Sequence, residues 1–188
     1  MNPEELLEVI QVQRHDFLNH LQVISGLLQL NKIDRAREYL GLINREMERS
    51  SLTARVKIPE VTAVLLSALC ESASYQIELE MKMNSSWEGL GIPGPLIGAA
   101  LKKCLAAAFR VLSPIEVAER RLEVVFDEND KNYSCRLSFQ KPCGFEQSLV
   151  EEELKKAEEI AGPSGCRVKL VFAEGKVEIF FIMPRKAM

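Results

Sequence analysis

The chain has 188 residues, 47% hydrophobic and 27% charged, the make-up of a soluble globular protein: one ordinary domain, or a small module joined to a modest domain. A net charge of −3 and an isoelectric point near 5.6 argue against a nucleic-acid partner, since no basic stripe dominates. No apolar run approaches the roughly 18 residues that cross a bilayer, and the acidic start MNPEELLEVI lacks the features of a signal peptide; a cytoplasmic protein with no membrane partner is expected.

In chain order, Asn2-Pro3-Glu4-Glu5 reads as a helix start, with Asn2 as cap and Pro3 at the first helical position. Leu6, Ile10, Phe17, Leu21, Ile24 and Leu28 recur at spacings of three, four and seven, which predicts a helix to about Leu30. Asn31-Lys32 breaks the pattern. Asp34 can cap a second helix, with Ala36, Leu40, Ile43 and Met47 on one face and an end near Ser50-Ser51. A hairpin this long cannot bury its apolar faces alone. Pairing with a second copy into a four-helix bundle is the simplest solution, so a homodimer is expected.

After Arg55-Val56-Lys57-Ile58-Pro59 the pattern changes. A helix is expected over about 59–75, a strand in IELEMKM, a loop over 89–95 and an apolar helix over 96–112. RLEVVFDE and YSCRLSFQ flank the turn Asn129–Asn132. A charged amphipathic helix follows over 146–161, read as a solvated face laced by Glu–Lys pairs. CRVKLVFAEGKVEIFFIMP closes the chain as two strands joined at Ala173-Glu174-Gly175. The fold class is α+β: a helical hairpin, residues 1–55, and an α/β sandwich, residues 56–188, with helices on one face of the sheet. Trp87 reads as a packing residue. The five cysteines include no CxxC pair, and the chain has only two histidines; buried thiols in a reducing compartment are expected rather than a zinc cluster.

Both histidines lie in VQRHDFLNHLQVISGLLQL, residues 12–30. With Phe17 at the centre of the apolar face, a rotation of 100° per residue places His15 about 160° away, on the solvent side. Asn19 lies one turn further on the same face, and Gln11 and Gln22 continue the polar strip. His20 falls at the edge of the packed face and reads as a hydrogen-bonded structural residue. An imidazole is largely neutral near pH 7, and one ring nitrogen then offers a lone pair. Asp16 can orient the ring, Asn19 can bond a phosphoryl oxygen or a water, and Arg14 can neutralise phosphate charge. These residue types suit a phosphoryl acceptor. A surface histidine that happens to neighbour Asp and Asn has the same composition, so the residues alone leave both readings open.

The stretch R-H-D-F-x-N-H-L-Q-V-I-x-G-L, Arg14 to Leu27, resembles the phosphoacceptor helix of the citrate/dicarboxylate-type sensor histidine kinases and of the sporulation initiation phosphotransferase B family. The resemblance implies phosphorylation of His15, with Asp16 and Asn19 at the other motif positions. It also implies a hairpin that is the dimerisation module and a C-terminal domain of the histidine-kinase ATPase type. A working kinase of this superfamily needs asparagines on its N-box helix, an Asp-x-Gly-x-Gly strand end and a glycine-rich lid. The helix resembling the N-box, LIGAALKKCLAAAFRVL, contains no Asn. At the corresponding strand end, FQKPCGF, Gln140 and Lys141 stand in place of the acid. Gly162-Pro163-Ser164-Gly165 resembles the last glycine box.

The pattern is that of the phosphotransferase branch, a degenerate ATPase domain without an ATP site. It implies an enzyme that relays a phosphoryl group between the aspartates of two response-regulator receiver domains through phospho-His15, as in a sporulation phosphorelay, without autokinase activity. It has no cofactor of its own, Mg2+ arriving with the receiver. Gln11, Arg14 and Gln22 are the docking candidates. Two alternatives stand beside this expectation: an autokinase whose ATP site goes unrecognised, and a non-catalytic receiver-binding module.

Overall fold

A computed structural model of the protein describes the backbone of residues 3–185, and the side chains of residues 14–185 except those of Asp16, Glu46, Arg49 and Ser50. The expected cap at Asn2 lies outside the described residues. The chain divides into two compact units, residues 1–49 and 50–188.

The first unit is a helical hairpin of α1 (Pro3–Gln29) and α2 (Ile33–Thr53), whose last turn belongs to the second unit. Asn31 makes the reversal. It adopts a left-handed conformation, φ 55°, which asparagine tolerates better than most side chains. This closes the end of α1 with Lys32 N donating to Leu27 O (2.8 Å) and Asn31 N to Leu28 O (2.9 Å), the bond pair of a Schellman motif. Asp34 is not the cap expected of it. It sits inside the first turn of α2, where its charge suits the helix dipole, and it pairs with Arg37 (3.5 Å).

The second unit runs α3 (Pro59–Ser74), β1 (Glu78–Met83), α4 (Gly94–Leu112), β2 (Arg121–Glu128), β3 (Asn132–Gln140), α5 (Gln147–Ala161), a 3-10 turn (Gly162–Ser164), β4 (Arg167–Ala173) and β5 (Lys176–Pro184). The sheet order is β1-β2-β3-β5-β4. Only β1 and β2 are parallel, and α4 supplies the crossover that a parallel pair needs. The β4–β5 hairpin turns on Glu174 (φ 48°) and Gly175 (φ 79°), two residues with positive φ, as tight hairpins prefer.

Strand residues alternate between two environments. Leu79, Met81, Leu122, Val124, Phe126, Cys135, Leu137, Ile179 and Phe181 face inward and form one core with Val61, Leu65, Ile97, Leu101, Leu105, Val150 and Leu154 of the helices. Trp87 is fully buried against Phe126, ring centroids 4.6 Å apart. The opposite face of the sheet is mixed, with Val125, Phe180 and Ile182 beside a run of charged side chains. Arg121–Glu80 (2.6 Å), Glu80–Lys82 (3.5 Å), Lys82–Glu123 (2.5 Å), Glu123–Arg136 (3.4 Å) and Arg136–Glu178 (2.9 Å) form one chain of alternating charge. The helices α3, α4 and α5 pack on the other side, against the inward-facing strand residues.

Candidate functional site

α1 places His15 on an exposed part of the hairpin. One turn on, Asn19 Nδ2 donates to His15 Nδ1 at 3.2 Å, so the helix brings together the two motif residues expected to work together. Arg14 and Gln22 are exposed. The side chains of Gln11 and Asp16 lie outside the described residues. Leu18, three residues from His15 and so on the same side of α1, is 49% exposed.

His20 has a different environment. It is half-buried, and its Nδ1 shares a hydrogen bond with the Tyr39 hydroxyl at 2.9 Å. The rings lie 5.9 Å apart, tying α1 to α2. Tyr39 was not singled out from the sequence, because its partnership depends on the hairpin register rather than on any local pattern.

In the second unit, α4, the helix that resembles the N-box, carries Lys103 and Arg110. Both reach α5. Glu153, only 7% exposed, binds Lys103 (3.4 Å), Arg110 (3.3 Å) and Lys156 (2.8 Å), and Glu152 binds Arg110 (3.5 Å) and Lys156 (2.8 Å). The Lys156 hydrogen bond holds the Glu153 carboxyl below its ordinary range against the opposing effect of burial, with Lys103 adding to the lowering. The Glu–Lys pairs expected along α5 are present, Lys156 with Glu152 and Glu153, and the expectation of a solvated face is corrected at Glu153. One of its carboxylates is buried and clamps it to α4, because Glu153 falls on the same side as Val150, Leu154 and Ala157.

At the end of β3, the Lys141 ammonium lies 5.5 Å from the ring centres of both Phe145 and Phe172, which meet edge to face at 5.8 Å. Gly165 follows the 3-10 turn with φ 83°. A hollow of about 300 Å³ lies on the open face of the sheet, lined by Glu80, Lys82, Arg121, Glu123 and neighbouring residues. Those four side chains are already paired with one another, so its size does not make it the site. Among the described residues no group of three His, Cys, Asp or Glu is placed to hold a metal.

The expectation of buried thiols holds for three cysteines and is corrected for two. Cys104, Cys135 and Cys166 are buried, whereas Cys70 and Cys143 are exposed. Burial pushes the Cys104 thiol up to about 12 and raises that of Cys135 as well, which makes both inert.

Residues 1–56 match the family model of the SpoOB-type sensor kinase alpha-helical domain. The second unit has the fold of histidine-kinase catalytic domains. It is similar to the catalytic domain of histidine kinase ThkA, at TM-score 0.55 and 12% identity over 68% of this chain and 90% of that one. The similarity to Acinetobacter baumannii histidine kinase AdeS covers 92% of this chain and 98% of that one, at TM-score 0.53 and 12% identity. A more particular relative is the sensor protein CitS of Halalkalibacterium halodurans, 31% identical over 87 residues. The match covers 45% of this chain and 16% of that protein's length. Over part of its length the chain is therefore related to the SpoOB-type and citrate-type sensor kinases, and its second unit shares the fold of histidine-kinase catalytic domains. Among the described residues no helix is long and apolar enough to cross a membrane.

Proposed function

We propose that the protein is a histidine phosphotransferase, which takes a phosphoryl group from the aspartate of one response-regulator receiver domain onto His15 and passes it to the aspartate of a second. The observation that carries the reading is the exposed His15, bonded to Asn19, on the hairpin that matches the SpoOB-type helical domain. A ThkA structure similar to this chain is a complex of that kinase with the response regulator TrrA, which supports a receiver as the partner. Docking imposes the in-line geometry, and transfer then requires mainly positioning and charge neutralisation. Arg14, Gln11 and Gln22 serve as docking residues in this reading, Asp16 completes the motif, and magnesium comes with the acidic pocket of the receiver.

The second unit bears on where the phosphate originates. Helix α4 has no amide side chain to reach a nucleotide-bound magnesium, and its Lys103 and Arg110 are engaged by α5 carboxylates. An ammonium, not a carboxylate, stands at the end of β3. These residues do not fit a magnesium nucleotide, and this supports a relay that receives its phosphate from another protein. The similarity to CitS, a sensor protein, favours the second reading, an autokinase.

Two labelling experiments separate the readings. A phosphorylated receiver labels the wild-type chain and fails to label His15→Gln; label retained in that variant, or found on His20, refutes the assignment. Radiolabelled ATP with magnesium leaves the chain unlabelled, and self-phosphorylation would establish the kinase instead.

A further inference from the structure

We infer that Asn19 sets the position of the proton on the His15 ring, and that a half-turn of its amide gates phosphoryl exchange. The inference rests on His15 being the exchanging residue. Asn19 is then a positioning residue rather than a second nucleophile or base.

The carboxamide of Asn19 presents Nδ2 to His15 Nδ1 at 3.2 Å. A neutral imidazole has one N–H and one lone pair. An amide N–H directed at Nδ1 engages the lone pair there, so the ring proton sits on Nε2. In this arrangement neither nitrogen offers a pair to phosphorus: Nε2 carries the proton, and the pair on Nδ1 is engaged. The last torsion of an asparagine side chain is broad and roughly two-fold. A half-turn about it brings Oδ1 to the same ring nitrogen. Nδ1 then carries the proton and donates it to Oδ1, and the lone pair moves to Nε2. The amide Nδ2 now points outward, where an incoming phosphoryl oxygen accepts from it. The arriving group thus favours the orientation that makes the ring reactive.

In this second arrangement the exchange balances without any proton entering or leaving the ring. The Nε2 pair attacks phosphorus, the P–O bond to the donor aspartate breaks, and its electrons leave with the carboxylate. The ring becomes a phosphoimidazolium that keeps its Nδ1 proton. In the onward step the acceptor carboxylate attacks phosphorus, the N–P bond breaks, and its electrons return to Nε2. The neutral ring with its proton on Nδ1 is regenerated, and no proton has entered or left. If the phosphorylated ring loses the Nδ1 proton in between, the neutral phosphoimidazole is a poorer leaving group. Asn19 Nδ2 can again donate to its Nδ1 lone pair. The amide N–H directed inward therefore insulates both the bare and the phosphorylated ring, against water as well as against stray donors.

The test uses the full chain with 15N-labelled histidine, His20 resonances being assigned in His15→Gln. At about pH 9, above the ordinary imidazole range, two-bond 15N–1H couplings report which nitrogen carries the proton. In the wild type the Nε2–H form exceeds that in Asn19→Leu by about two- to five-fold in the tautomer ratio, the worth of one modest hydrogen bond. Asn19→Asp, which offers only acceptors, inverts the ratio toward Nδ1–H. Phospho-His15 made with phosphoramidate, a donor that needs no receiver, hydrolyses faster in both variants than in the wild type. The same tautomer ratio in wild type and Asn19→Leu overturns the inference. Because tautomers are read on the unphosphorylated chain, a failure of receiver transfer would sink the relay and leave this result standing. An unchanged ratio with transfer intact would sink the gate alone.

Discussion

His15 and His20 are five residues apart on one helix, and their surroundings assign them opposite tasks. Helix periodicity separated them in the sequence, since one falls opposite the apolar stripe and the other beside it. What periodicity could not supply was the partner. Tyr39 meets His20 because Asn31 turns the chain at a register that no local window reveals. That bond ties the two helices at a half-buried point, where a net contribution of about 0.5–1.5 kcal/mol is usual. Tyr39→Phe therefore lowers the stability of the hairpin by about that amount in thermal or urea unfolding. It leaves labelling of His15 by a phosphorylated receiver intact. Loss of labelling with stability unchanged would move His20 and Tyr39 from scaffold to chemistry. Leu18 was legible by the same spacing rule that found Asn19, but a leucine near an apolar seam attracts no notice until its exposure is seen.

At the scale of elements, each expected helix and strand after residue 56 is present, because alternation, helical spacing and the turns at Asn129–Asn132 and Glu174-Gly175 are all local signals. The sheet order was not legible. The parallel pairing of β1 with β2 joins segments separated by the whole of α4, and no nearby residue encodes it. The same limit hid the role of α5. Its Glu–Lys spacing describes an exposed face equally well, and only the packing shows Glu153 sealed against Lys103 and Arg110. Glu153→Gln keeps the shape and removes the charge, and it should cost about 1–2 kcal/mol, the lower part of the range for a charge-assisted bond because the cations stay partly exposed. The pH dependence has a definite sign. A carboxyl held below its ordinary value of 4.5 contributes its full share of stability above that pH and loses it as pH falls through the folded-state value. Denaturant melts between about pH 5 and 3 should show a smaller decline for Glu153→Gln than for the wild type. Equal declines would mean that the clamp carries no linked proton. Helix crossing sets a second constraint. A Cβ at Gly98 would lie 3.1 Å from the Glu60 Cβ and 3.3 Å from its carbonyl oxygen. Gly98→Leu should force α3 and α4 apart and destabilise the second unit by roughly 1–3 kcal/mol.

For the molecule as a whole, the informative feature is what the single chain leaves uncovered. Phe17 is 60% exposed and Met47 62%, and Leu21, Leu28 and Leu40 are exposed too. On α1 these residues follow the stripe of Ile24, and on α2 they lie beside Ala36 and Ile43, which the hairpin does cover. Two helices can shield only the strip where they touch; the rest of each stripe requires further helices, and an identical hairpin supplies a self-complementary pair. Each such side chain still has roughly 1 kcal/mol to gain from full burial, and repetition over two hairpins is the gain that a homodimer would set against the entropy of association. Wild-type protein at micromolar concentration should therefore sediment at twice the chain mass of 21.2 kDa. The double substitution Leu21→Glu, Leu40→Glu would place four carboxylates in the centre of a dry seam, a cost that hydrophobic contacts cannot offset. It should return the protein to the mass of one chain while the unfolding of residues 50–188, a compact unit of its own, keeps its midpoint. A wild-type chain that sediments as a monomer would leave the exposed stripes to some other partner, and with them the four-helix platform on which a receiver is meant to find His15.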